Sequence, residues 1–223
     1  MNVRLLKVLV LAVASLGVGL ATFSLGSSGI ADTSQGTPDP ARRLKSVSEF
    51  QSIADAGTRS RALFVEAAKV ITDPRCINCH PMNRQPTQGD SMHPHVPLMN
   101  AGGGAGPGIG PDGLMCSACH RAENSPAIPG SRVGSVPGNA HWSLAPVSMG
   151  WQKQTLGYIC RQLKDPTRNG NRSLTQIHRH TIEDHLVGWA WHPGEGRRPA
   201  PGTQEEFSAL IGAWIETGAE CPS

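Results

Sequence analysis

Large aromatic residues are scarce in this 223-residue chain, which has four Phe, five Trp and a single Tyr. Without its leader the chain would be about 190 residues long, and so few bulky side chains leave it a thin protein-only core. Something other than protein should therefore supply buried apolar surface, at about 25 cal/mol for each Å² removed from water. Charge is sparse too. Charged residues make up 17 % of the chain, with a formal net charge of +3. That falls to about +1 once Arg4 and Lys7 leave with the leader. No basic run is present, which argues against a nucleic-acid partner. No segment alternates convincingly as a strand, and nothing repeats beyond two short Cys motifs. No molybdopterin domain or iron–sulfur motif appears. What the chain does have is 26 Gly, 18 Pro, nine His and six Cys.

Residues 1–31 read as an export signal. Arg4 and Lys7 form a basic start, an apolar run extends from Val8 to about Leu25, and Gly29-Ile30-Ala31 suits signal peptidase. Left uncleaved, a run of roughly 18 residues would serve as a membrane anchor. No twin arginine precedes it, which favours the general secretory route. Either way the remainder lies outside the cytoplasm, in the periplasm of a bacterium. Residues 32–58, polar and carrying Pro38 and Pro40, read as a tether. Residues 59–223 then form the folded domain.

Two pentapeptides carry the chemistry, Cys76-Ile77-Asn78-Cys79-His80 and Cys116-Ser117-Ala118-Cys119-His120. Two thiols at this spacing can each add to one vinyl group of a haem, and the following His then sits beneath the iron as its proximal ligand. Zinc explains the pattern less well. About 36 residues separate the pairs, against about 15–20 in zinc ribbons, and zinc gives no reason for a His after each pair. A thioredoxin-like site would need a strand–helix context that is missing. The expected cofactors are two covalently bound haem c groups. Cys160 and Cys221 remain, and in an oxidising compartment they suit one structural disulfide.

The sixth ligand decides what each iron does. A second His or Met closes it for electron transfer, and an open position permits catalysis. His95 and His141 are the distal candidates, with His93 and Met149 as alternatives, and Met92 and Met99 behind them. His178, His180 and His185 lie on one expected helix, with His178 and His185 sharing a face and His180 pointing elsewhere; they read first as surface groups or propionate partners, and second as ligands reaching an iron from across the fold. Trp189, Trp191 and His192 suit packing against core or haem edge. Arg161, Lys164, Arg168 and Arg172 suit propionates or an acidic docking partner.

Helices are expected over 59–72, 155–164 and 173–186, and from Thr203 to Gly218. The third opens on a Ser173/Gln176 capping box and the last on Thr203/Glu206. Pro74 should stop the first. The long stretches 81–114 and 122–150 lack periodicity, and wrapping a haem would account for loops of that length.

The chain resembles a bacterial family of small exported dihaem c-type cytochromes known as isoquinoline 1-oxidoreductase subunits. Besides the two Cys motifs, the resembling residues are Gln88-Gly89-Asp90-Ser91-Met92-His93-Pro94-His95, His141-Trp142-Ser143-Leu144-Ala145-Pro146, Ile159-Cys160-Arg161-Gln162-Leu163-Lys164-Asp165-Pro166 and Val187-Gly188-Trp189-Ala190-Trp191-His192-Pro193-Gly194. They span most of the chain after Arg61. The resemblance implies an electron-accepting partner of a molybdenum hydroxylase acting on N-heterocycles. The expected fold is mainly α with long irregular loops, a single dihaem cytochrome c domain. The expected function is electron transfer between redox proteins; a dihaem peroxidase with one open iron is the alternative.

Overall fold

Asp39 begins the part of the chain that the computed structural model describes, which comprises residues 39–100, 114–130 and 134–223. The expected signal and the first residues of the expected tether lie outside it. From Asp39 onward the expected tether is instead part of the fold. Two short 3-10 turns, Pro40–Arg42 and Val47–Phe50, place Leu44 and Phe50 in the core. Single apolar residues on such turns make no periodic pattern, so a polar segment conceals them.

Helix α1 (Ala56–Ile71) starts one turn earlier than expected because Asp55 caps it, its carboxylate accepting from the Thr58 amide. Leu63, Phe64, Ala67, Val70 and Ile71 form its buried face. Pro74 does follow the end of this helix, but it also opens the next. Helix α2 (Pro74–Ile77) has Pro at its first position and Asp73 as its cap. This single turn carries Cys76. Two short strands follow, β1 (Thr87–Gln88) and β2 (His93–Pro94), paired antiparallel with Thr87 opposite Pro94.

The remaining helices are α3 (Leu156–Lys164), α4 (Leu174–Glu183), α5 (His185–Gly188) and α6 (Gln204–Glu216). The capping boxes at Ser173/Gln176 and Thr203/Glu206 are both formed. The helix expected over 173–186 is broken at Asp184. Its carboxylate accepts from the Leu186 and Val187 amides and starts α5 on a new axis. His178 and His185 therefore do not share a helix face.

Helices α1 and α6 pack together as the centre of the core, with Phe64 and Trp214 rings 5.1 Å apart. Ser60, wholly buried between them, donates to the Trp214 carbonyl and accepts from the Glu220 amide. Helix α3 adds Ile159 and Leu163 to the same core. The domain is thus mainly α, with long loops. Among the described residues no helix is long and apolar enough to cross a membrane.

Cys160 of α3 and Cys221, beyond α6, form the expected disulfide across 61 residues of sequence. It ties the C-terminus to the core by shrinking the unfolded ensemble. Cys221→Ala should lower unfolding free energy by about 2–4 kcal/mol, read as a lower urea midpoint under oxidising conditions.

Candidate functional site

Each Cys motif opens onto its own cavity. The loop-side cavity, about 430 Å³, is lined by Cys116, Cys119 and His120. The helix-side cavity, about 330 Å³, is lined by Cys76, Cys79 and His80. Both volumes fall within the roughly 300–1,000 Å³ of typical ligand pockets. Arg75, Cys79, Leu144 and Trp189 line both, so the two cavities share one wall. Residues from the segment 86–99, together with Ala127, Ser135, Pro137 and Trp142, wall the loop-side cavity, and they come from the aperiodic stretches expected to wrap a cofactor. The helix-side cavity is walled by core residues, among them Ile71, Leu163, Phe207 and Ile211, and on another side by loop residues from His141 to Met149.

The two motif histidines are held by the same device twice. His80 Nδ1 donates to the Met149 carbonyl at 2.8 Å, and His120 Nδ1 donates to the Pro137 carbonyl at 2.7 Å. A carbonyl can only accept, so each neutral ring carries its proton on Nδ1 and keeps the Nε2 lone pair bare. Each ring is stacked on a tryptophan, His80 on Trp151 at 3.5 Å and His120 on Trp142 at 4.5 Å, both nearly parallel. Each carbonyl also precedes a glycine in close quarters. A Cβ at Gly138 would fall 1.9 Å from the Glu123 carbonyl oxygen, and one at Gly150 would fall 2.7 Å from Met82 Sδ. Sequence reasoning missed this duplicated carbonyl–Gly and Trp arrangement, because its spacing differs between the two sites.

Burial favours the neutral imidazole in both. It pulls His80 down to about 4, opposed by the hydrogen bond to Met149 and aided slightly by His180. It lowers His120 as well, opposed by the Pro137 carbonyl and aided by His95 and Arg197. Burial also raises both thiols of the first motif, Cys79 to about 11, while Asp73 adds to the effect at Cys76. These thiols stay protonated at neutral pH, where thiolate chemistry is slow.

Of the expected distal groups, His95 sits across from His120 with ring centroids 6.0 Å apart. Imidazole nitrogens lie about 2 Å from a first-row metal, so two rings on opposite sides of one ion have centroids about 6 Å apart. The observed separation fits that arrangement. The Pro97 carbonyl accepts from His95 Nδ1 at 2.8 Å and leaves this Nε2 bare as well. His93 and buried Met99 line the same cavity, His93 with its Nδ1 on the Pro94 carbonyl; Met92 is exposed. His141 and Met149 line the helix-side cavity, together with His180. Arg172 alone of the four expected basic residues lines a cavity; Arg168 stacks on Tyr158, and Lys164 donates to the Ala219 carbonyl. Trp191 packs near Phe207, and His192 is exposed.

Arg75 tests whether the cavities suit a porphyrin. Its guanidinium is buried in the shared wall, donates to Asp90 at 2.5 Å, and leaves Nε without a hydrogen bond. Arg197 faces the same cavity; burial lowers its proton affinity, and Arg75 lowers it further. Arg75 is already paired with Asp90 and has Asp73 3.9 Å from its Nε, so Arg197, which donates to Ser135 and to the Pro193 and Glu195 carbonyls, is the better placed of the two to meet an anion such as a porphyrin propionate. The four motif thiols, by contrast, do not converge as a zinc site would require. Among the described residues no group of three or more His, Cys, Asp and Glu is placed to hold a metal ion.

His80 titrates below its ordinary value when folded, so the unfolded chain takes up the proton first. The stability this burial allows is complete above about pH 6.5 and is lost as pH falls toward about 4. The chain without cofactor should show a lower urea midpoint at pH 4.5 than at pH 7.5. His80→Phe should narrow that difference.

No family model matches this chain, and neither does any curated protein or any solved structure, so the site is read from its own residues.

Proposed function

We propose that this chain is an exported, periplasmic dihaem c-type cytochrome that passes electrons between redox proteins. The observation that carries the reading is the pairing of each Cys-x-x-Cys-His motif with its own cavity, each proximal imidazole presenting a bare Nε2. Bound haem would supply a ferric/ferrous couple at each site. The protein's part is attachment, ligation and insulation. Cys76 and Cys79, and likewise Cys116 and Cys119, would hold the porphyrin by adding S–H across its vinyl groups, a C–S bond forming as the thiol hydrogen passes to the neighbouring carbon. His80 and His120 would each hold an iron, and His95 would be the second ligand of the one that His120 holds.

Arg197, with the Asp90-paired Arg75 beside it, would hold a propionate at the loop-side cavity. Trp189 and Leu144, in the shared wall, keep water from between the cofactors and let them lie close enough for electron exchange. The resemblance to isoquinoline 1-oxidoreductase subunits makes a molybdenum hydroxylase the electron donor to try first.

The mass of the purified protein should equal the processed chain plus two haems, and acidified acetone should release no pigment. The oxidised spectrum should be low-spin at both irons. His95→Ala should turn one of the two high-spin and open it to carbon monoxide. A mass equal to the bare chain would sink the proposal. A high-spin wild-type iron that turns over peroxide would replace electron transfer with the peroxidase reading.

A further inference from the structure

His180 on α4 lines the helix-side cavity together with His80, on the far side of the sequence from the Cys motif. Its Nδ1 lies 3.2 Å from Asp184 Oδ2, one turn further on. The other carboxylate oxygen accepts from the Leu186 and Val187 amides at 2.8 and 3.1 Å, so Asp184 is itself fixed by the start of α5. An imidazole that gives its Nδ1–H to a fixed carboxylate has one ring orientation and a more basic Nε2. This is the usual outer-sphere support of a histidine bound to a metal.

Its neighbours go elsewhere. His178 lies over α6, where a Cβ at Gly212 would come within 2.9 Å of its Nε2, and His185 is exposed. The rivals in the same cavity are less well placed. Met149 gives its own carbonyl to His80 Nδ1, so its backbone lies behind the proximal ring, away from the bare Nε2. His141 is exposed at the rim, on a loop held through its amide by Asn139.

We infer that His180, oriented by Asp184, is the sixth ligand of the iron that His80 holds, giving the helix-side haem a bis-histidine set matching the His120/His95 pair of the loop-side cavity. This rests on the dihaem reading above. Asp184 acts as a positioning residue: its carboxylate makes the distal imidazole a stronger donor and so favours the ferric state.

The test uses the full chain carrying its cofactors. His180→Ala should keep both covalent haems by mass while one of the two low-spin signals in the magnetic resonance spectrum is lost. That iron should then bind carbon monoxide, and added imidazole should restore the low-spin signal. His180→Met, which keeps a ligand and much of the bulk, should stay low-spin with the charge-transfer band of His/Met ligation. His141→Ala should leave both signals unchanged. Asp184→Asn retains an oxygen for the α5 cap but has no second acceptor for the His180 ring. It should raise the midpoint potential of one haem and leave the other in place. Two unaltered low-spin signals in His180→Ala, or loss of one in His141→Ala, would overturn the assignment while leaving two haems in the chain. A wild-type mass without haem would overturn the cytochrome reading itself, and this inference with it.

Discussion

A backbone carbonyl on an imidazole Nδ1 is the contact on which the candidate site depends. A histidine in solution divides its proton between two nitrogens and turns freely about its side chain. Here the Met149 and Pro137 carbonyls remove both freedoms from His80 and His120. What remains is one tautomer, one plane, and a lone pair aimed into an apolar cavity. The stacked Trp151 and Trp142 fix the ring planes from the side. Trp151 is secured in turn, since its indole N–H donates to the buried Gln162 of α3. The chain of constraint therefore runs from the helical core, through a loop tryptophan, to the proximal ring.

The two cavities use this device in different surroundings. On the helix side, part of the cavity wall is the core itself; Ile71, Leu163 and Ile211 belong to both. A planar apolar group placed there would extend the core that the sequence is too poor in aromatics to complete. On the loop side, segments without regular structure form the walls. Their backbone is held by side chains, as where Asn124 accepts from the Gly138 amide and donates to the His192 carbonyl. The Thr87 hydroxyl donates to Asn78 of the first motif, which in turn donates to the Gly89 carbonyl. The first motif and the hairpin that leads to His95 are thereby coupled, so neither cavity is built independently of the other.

The sequence made the helices legible where capping chemistry and periodicity agreed. Helix α6 is the clearest case, with Thr203 and Glu206 at its start and Phe207, Leu210, Ile211 and Trp214 buried along one face. Helix α4 shows the limit. Apolar residues continue past its end through Leu186 and Val187, so periodicity runs on; the break comes from one carboxylate accepting from two amides. Leu44 and Phe50 were hidden for the opposite reason, as isolated anchors in a polar stretch.

The Cys motifs stand out in the sequence because the chemistry expected of them is local: five consecutive residues carry it. Distal groups have no such signature, because a residue becomes a ligand by where the fold brings it. His180 belongs to no motif like the Cys-x-x-Cys-His pentapeptides, and it comes to line the cavity beside Cys76 only when α4 packs on α6. A lone histidine gains meaning from the group that holds its far nitrogen. Asp184, four residues along the same helix end, is a local feature that sequence does contain. A histidine followed at i+4 by an aspartate that also caps the next helix is fixed in orientation before any metal arrives, and that pairing is the signal to look for in chains of this kind.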